Sequence, residues 1–229
     1  MKNKVVIVTG ASQGIGREIA INLSENGAKI VLVSRNIKML KQTASMLNNE
    51  NIIIQTDIRL ENSVKNMVKK TIETFGKIDV LINNAGYVEP AGILEMKLKH
   101  WTDMIDTNLT GTFLCTKEVV KYMKKSGGKI INIASTAGIG ARPGWSGYAA
   151  SKAGVISFSL TMAEELRNYN IKVFCICPGR TATNLRKKLA PNEDPTTIMQ
   201  PESVVKIVKY CFTDDANIIE GQPILVRER

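Results

Sequence analysis

The sequence predicts an α/β fold: one domain built on a doubly wound parallel sheet of about seven strands flanked by helices. Three observations predict it. Short runs of Val, Ile and Leu recur along the chain, and amphipathic stretches separate them in regular β-α alternation. Several runs are near-continuously apolar, as in strands covered on both faces. Finally, the 229 residues contain no Pro/Gly/Ser-rich linker and no internal repeat, so residues 1–229 are expected to share one core.

The elements follow in order. The first strand is Val5-Val6-Ile7-Val8-Thr9. It follows Met1-Lys2-Asn3-Lys4 at once and ends at Gly10, which is too short for the core of a signal peptide, so it reads as a strand and not a targeting segment. A glycine-rich turn opens a helix over 14–26, and a strand over 29–34 ends in Ser34-Arg35 before a helix over 37–48. A strand over 52–56 precedes a helix over 61–75, and a strand over 78–83 runs into Asn84-Ala85-Gly86. One long helix is expected over 99–124, then a strand over 129–134, a helix over 147–168 and a buried strand over 171–177. Residues 185–200 contain Pro191 and Pro195 and little periodicity, and are expected to form a loop or lid near a site. A helix over 201–212 and a strand over 223–227 complete the set.

Composition narrows the function. Apolar residues at 44% and charged residues at 23% are those of a globular chain and exclude disordered and collagen-like classes. No apolar run reaches the roughly 20 residues of a membrane span. Cys115, Cys175, Cys177 and Cys211 read as buried free thiols, which suits a reducing cytoplasm. His100 is the sole histidine and stands in a lysine-rich stretch, so no metal site is expected. The charge is 31 − 21 = +10. The densest basic clusters are Lys121, Lys124, Lys125 and Lys129, and Arg186, Lys187 and Lys188. No aromatic residues interleave with them, which argues against nucleic acid. They read as solvated surface, with attraction of an acidic substrate, cofactor or carrier as the alternative.

Two motifs carry chemistry. Thr9-Gly10-Ala11-Ser12-Gln13-Gly14-Ile15-Gly16 has the spacing T-G-x-x-x-G-x-G between a strand and a helix. Glycine permits the tight turn and the close approach of backbone amides to a pyrophosphate, and the helix N-terminus offers its dipole, as in a Rossmann-type dinucleotide fold. At the end of the second strand an acid would hydrogen-bond the 2′-hydroxyl of NAD(H). This chain has Ser34 and Arg35 instead, which points to the 2′-phosphate and hence to NADP(H) over NAD(H). Tyr148 and Lys152 stand four residues apart, on one face of a helix. A lysine held there is expected to favour the phenolate and draw the tyrosine below its ordinary value of about 10.

With these residues in view, the chain resembles the short-chain dehydrogenase/reductase family. The resemblance covers essentially the whole chain. It rests on Thr9–Gly16, on Asn83-Asn84-Ala85-Gly86, on Asn108 in Thr107-Asn108-Leu109-Thr110-Gly111, on Ser135 thirteen residues before Tyr148, on Tyr148-x-x-x-Lys152, and on Pro178-Gly179 with Thr183. It implies hydride transfer to a carbonyl, with Tyr148 as general acid, Lys152 tuning it and anchoring the nicotinamide ribose, Ser135 on the substrate oxygen and Asn108 holding a water of a proton path. It further implies that Gly10, Ser12, Gln13, Gly14, Ile15 and Gly16 surround the pyrophosphate, that Asp57 and Ile58 hold the adenine, and that Asn84, Ala85 and Gly86 line the cleft. Ile133, Pro178, Gly179, Thr181 and Thr183 are implied near the nicotinamide.

Within the family the chain is similar to 3-oxoacyl-(acyl-carrier-protein) reductases, through its compact length, Gly147–Ala153, Ser34-Arg35 and Ile218–Gln222. That similarity implies a carbonyl substrate that is small or carrier-bound, with an acyl carrier protein as possible partner at the basic cluster. An NADP-dependent alcohol, sugar or small-ketone dehydrogenase is the alternative reading. A non-catalytic nucleotide-binding protein is the third, although each catalytic position is filled. The chain ends Ile224-Leu225-Val226-Arg227-Glu228-Arg229 where relatives have V-D-G-G, so a homodimer is expected as readily as a homotetramer.

Overall fold

The computed structural model describes residues 1–227. Seven parallel strands form one sheet: β1 (Val5–Thr9), β2 (Lys29–Ser34), β3 (Asn51–Gln55), β4 (Val80–Asn83), β5 (Gly128–Ile133), β6 (Ile171–Pro178) and β7 (Pro223–Val226). Their order in space is β3-β2-β1-β4-β5-β6-β7. The chain therefore winds outward from β1 in one direction, crosses back to β4 and winds outward in the other. In such a sheet the crevice for ligands opens at the carboxyl ends of the strands, beside this reversal.

Strand alternation sorts the core into two layers. Val6 and Val8 of β1 point to one face with Ile30, Leu32 and Ile82. The helices α1 (Gly14–Glu25) and α8 (Pro201–Tyr210) cover that face, through residues such as Ile19, Leu23, Val204 and Val208. Val5 and Ile7 point to the other face with Val31, Val33 and Leu81. There they meet α3 (Glu61–Phe75) and α5 (Gly111–Met123) through Val64, Met67, Val68, Cys115 and Val119. Apolar residues at both parities of one strand are thus the reason the runs read as continuous in sequence. A smaller cluster of Ala134, Val155, Cys175 and Cys177 packs α6 (Ser146–Glu165) on the sheet beneath the crevice.

Several boundaries differ from expectation. The helix expected over 99–124 is α4 (Leu98–Ile105), a π-helical turn (Asp106–Thr110) and α5. Asn108 lies in this wider turn, and its side chain bonds Tyr87 and Ser151. The helix expected over 37–48 is α2 (Ile37–Ala44), and the strand expected from residue 78 begins at Val80. The segment expected as a loop over 185–200 contains the short helix α7 (Asn184–Leu189), started by the Thr183 hydroxyl, which accepts from Arg186 N at 3.1 Å. Arg186 and Arg180 both grip Glu193 and so close the segment on itself. Pro223 is tolerated as the first residue of the edge strand β7. Glu228 and Arg229, at the end of the segment compared with V-D-G-G, lie outside the described residues.

Lys129 does not belong to the expected basic cluster. Its ammonium donates to Cys211 O at 2.8 Å and Thr213 O at 3.3 Å and lies over the Phe174 ring, closing the C-terminus of α8. Lys121 pairs with Glu118 on its own helix. All four cysteines are buried and free. Among the described residues no helix is long and apolar enough to cross a membrane, and no group of His, Cys, Asp and Glu is placed to hold a metal ion.

The close approach of α1 to the reversal depends on Gly16. A Cβ there would sit 2.3 Å from Asn84 Nδ2 and 2.5 Å from the Gly10 carbonyl oxygen. Gly16→Ala is therefore expected to cost about 1–3 kcal/mol through forced backbone movement, read as a lower urea midpoint at unchanged m-value.

Candidate active site

A cleft of about 970 Å³ opens at the carboxyl ends of β1, β2, β4, β5 and β6. Its floor is a stitch between β1 and β4. The Thr9 hydroxyl accepts from Asn84 N at 3.0 Å and Ala85 N at 3.1 Å, and Asn84 Nδ2 donates back to Thr9 O at 3.0 Å and Gly10 O at 3.3 Å. The glycine turn is thereby fixed against Asn84-Ala85-Gly86. Gln13 precedes α1 without a side-chain capping bond, so no side chain of that residue occupies the first amides of the helix. Free helix-terminal amides, a rigid glycine turn and a long cleft fit the pyrophosphate of a dinucleotide. Thr183 and Asn184 close over this turn: Asn184 Nδ2 reaches Gln13 Oε1 at 3.3 Å.

The far end of the cleft lies at β2. Arg35 is exposed there, and its guanidinium has no hydrogen bond or ion pair among the described residues. Ser34 also lines the cleft, but its hydroxyl accepts from Asn36 N at 3.1 Å and shapes the turn into α2. Asp57 lines the same end, gripped by Arg59 through Nε at 3.0 Å and an NH2 group at 2.6 Å. The hydrogen-bonded Arg59 holds the Asp57 carboxyl below its ordinary range.

At the opposite end stand Ser135, Tyr148 and Lys152. Ser135 follows β5, and its hydroxyl accepts from Ala137 N at 3.1 Å at the start of a short 3-10 turn. Lys152 is 4% exposed, and its ammonium donates to Ile133 O at 2.8 Å. Burial pushes it down to about 8 from 10.5, with the Cys175 and Cys177 thiols acting the other way. Tyr148 runs against the sequence expectation. Burial raises its phenol above the ordinary value, and the Ser135 hydroxyl draws it part of the way back. The physical reason is geometric. The lysine is spent on the Ile133 carbonyl and lies 5.7 Å from the centre of the tyrosine ring, while the pocket removes the phenolate from water.

Of the residues singled out in the sequence, the structure gathers all but Gly16 and Asn108 onto the cleft wall. Gly16 packs α1 behind the turn. Asn108, 1% exposed, lies behind Gly86: its Oδ1 accepts from Tyr87 N at 2.7 Å, and its Nδ2 donates to Tyr87 O at 2.9 Å and Ser151 Oγ at 2.8 Å. Both amide protons are thus committed inside the protein. Sequence reasoning did not single out Val88, Arg142 or Arg180, which also line the cleft. Only Arg142 carries a local signal, because Pro143-Gly144 marks a turn there.

A model of the short chain dehydrogenase family matches residues 4–194. Among curated proteins, the 3-oxoacyl-[acyl-carrier-protein] reductase of Synechocystis is 39% identical over 225 residues, covering 93% of this chain and 90% of its own. Among solved structures, a variant of actinorhodin polyketide ketoreductase with NADPH is 28% identical with a TM-score of 0.90, over 99% of this chain and 97% of that one. The 3-ketoacyl-(acyl-carrier-protein) reductase of Brucella melitensis complexed with NADH is 26% identical with a TM-score of 0.91, over 98% and 97%.

Burial of Lys152 has a measurable consequence. The folded protein releases this proton near pH 8 and an unfolded lysine near 10.5. Between those values the unfolded chain holds more protons, so this group makes stability rise with pH across that window. The charged form below it carries a penalty on the order of 3 kcal/mol. Thermal unfolding of the cofactor-free protein and of Lys152→Met should show the wild type gaining on the variant through this range. A difference in Tm that stays constant with pH would contradict it.

Proposed function

Because the chain belongs to the short-chain dehydrogenase family, we propose that it reduces the carbonyl of a 3-oxoacyl thioester, or a closely similar ketone, to an alcohol with NADPH. The family binds NAD(P)(H), and the bound nicotinamide supplies the hydride. Everything else falls to the residues of this chain. The glycine turn and the amides of α1 receive the pyrophosphate, and Lys152 anchors the nicotinamide ribose. Tyr148 donates the proton that the carbonyl oxygen needs as it becomes an alkoxide. The raised value of its phenol keeps the proton on Tyr148 at neutral pH, which is the form a reductase requires. Ser135 hydrogen-bonds the developing oxyanion. Asn108 acts as a positioning residue, tying Tyr87 and Ser151 together behind Gly86 and Lys152.

One observation carries the reading: a tyrosine, a serine hydroxyl and a buried lysine meet at the end of a cleft whose floor is a glycine turn. The acyl-carrier substrate is supported by the Synechocystis relative. The surface for a carrier is narrower than the sequence implied, because Lys129 closes α8 and Lys121 pairs with Glu118, which leaves Lys124 and Lys125 exposed. NADPH preference is supported by the unpaired Arg35 and by the lack of an acid after β2.

Oxidation of NADPH against acetoacetyl thioesters, simple ketones, quinones and keto sugars tests the reaction. Turnover of the thioesters is expected. Tyr148→Phe should lower kcat by about two orders of magnitude or more while leaving NADPH binding nearly intact, and near-normal turnover in that variant would sink the mechanism. Arg35 is tested separately. Wild type should favour NADPH over NADH by about tenfold to a hundredfold in kcat/KM. Arg35→Asp should erase or reverse that ratio, and a wild type that turns over NADH as well as NADPH would remove Arg35 from the role.

A further inference from the structure

The tyrosine end of the cleft carries a cation that proton transfer does not use. Arg142, Pro143, Gly144 and Trp145 form a tight turn in which Trp145 N donates to Arg142 O at 3.0 Å. Pro143 takes the second position and Gly144, with φ +77, the third, which are the residues a type II turn demands. The turn is pinned from the other side, because Gly144 O accepts from Ala91 N at 2.8 Å. Trp145 then stands edge-on to Tyr148, with ring centroids 5.6 Å apart at 77°. This chain of contacts fixes the backbone of Arg142 on the wall beside the reacting tyrosine.

The Arg142 side chain is exposed, lines the cleft, and has no hydrogen bond or ion pair among the described residues. Other cations of the cleft are placed differently. Arg35 and Lys38 stand at the far end, after β2 and at the start of α2. Lys152 is bound to Ile133 O. Arg180 reaches Glu193 at 2.9 Å, and Arg186 grips the same carboxylate at 2.5 and 2.7 Å. The one carboxylate among the lining residues is Asp57, at the adenosine end and held by Arg59. Pro143 and Trp145 stand beside Arg142 in its turn, and Val88 and Leu189 are also on the lining. An unpaired guanidinium beside apolar residues favours a ligand that has an apolar body and ends in a negative charge.

We propose that Arg142 is a specificity-determining residue that pairs with an anionic group of the substrate, a carboxylate or a phosphate, held away from the carbonyl that Tyr148 protonates. The preferred substrates are then carbonyl compounds with a fixed negative charge, and the same chemistry is met by a free keto acid or by the phosphate of a phosphopantetheine arm. The proposal rests on the carbonyl-reducing function above.

Matched substrate pairs test it. A keto acid is compared with its methyl ester, and acetoacetyl-phosphopantetheine with acetoacetyl-pantetheine, in wild type, Arg142→Gln and Arg142→Lys. In at least one pair the wild type should favour the charged member by about tenfold or more in kcat/KM, and the pair in which this occurs names the source of the anion. Arg142→Gln should remove the advantage through KM, and Arg142→Lys should restore part of it. Neither variant should change kcat on neutral substrates or the KM for NADPH. Equal losses on charged and neutral members, no preference in the wild type, or a raised KM for NADPH would overturn the assignment. Should no carbonyl be turned over, the reductase reading fails by itself. Arg142 is then judged by calorimetric binding of the same charged and neutral compounds to the NADP-loaded protein, where an equal affinity of wild type and Arg142→Gln for the charged members would reject it.

Discussion

The cleft depends on the hydrogen-bonded stitch between the ends of β1 and β4. A doubly wound sheet must separate its two connections where the winding reverses, and that separation leaves a crevice whatever the sequence. What the sequence adds is rigidity. One hydroxyl, that of Thr9, takes the two amides that leave β4, and one amide, that of Asn84, returns to the two carbonyls that leave β1. Gly16 lets α1 approach until its own backbone lies against this knot. The first amides of α1 and the floor at Ala85 and Gly86 are therefore parts of one rigid body. Function at such a site is a matter of fixed dipoles and short reach, and loose joints would forfeit both.

A second constraint runs behind the tyrosine. α6 brings Ser151, Lys152 and Ser159 against the sheet, where Asn83, Asn108 and Asn132 meet them in a buried polar seam. Such a seam costs stability unless its members are paired. Nearly all are, with Asn83 Oδ1 an exception. The lysine is the dearest member, because its ordinary charged form is the one burial opposes. Leucine or alanine would pack more easily at that spot, so the arrangement is held against a cost in stability.

Much of this was legible from the residues. Apolar runs at both strand parities announced a two-faced sheet, and the glycine turn and the Tyr148–Lys152 spacing marked the floor and one end of one cleft. What escaped has common physical causes. The π turn escaped because a wider turn keeps helical residue preferences and changes only their phase. α7 escaped because a helix of six residues is held by the Thr183 cap and by an arginine pair that converges on Glu193. The direction of the shift at Tyr148 escaped because spacing reveals a charged neighbour and not the loss of water around both groups. Lys129 escaped because its partners are carbonyls more than eighty residues away in the chain.

The π turn between α4 and α5 also sets how this region can vary. An α-helical residue advances the side-chain direction by about 100°. A turn of five residues where an α-helix would use fewer puts the buried faces of α4 and α5 out of phase in sequence while they stay continuous in space. Substitutions within the segment 106–110 alter local contacts, three hydrogen bonds of one side chain in the case of Asn108. The loss or gain of one residue would instead rotate α5 relative to α4, turn Val119 and Met123 away from the core, and carry Asn108 off the Tyr87 backbone. A change of length here thus does more harm than a change of most side chains, and the asparagine serves as the pin that keeps count.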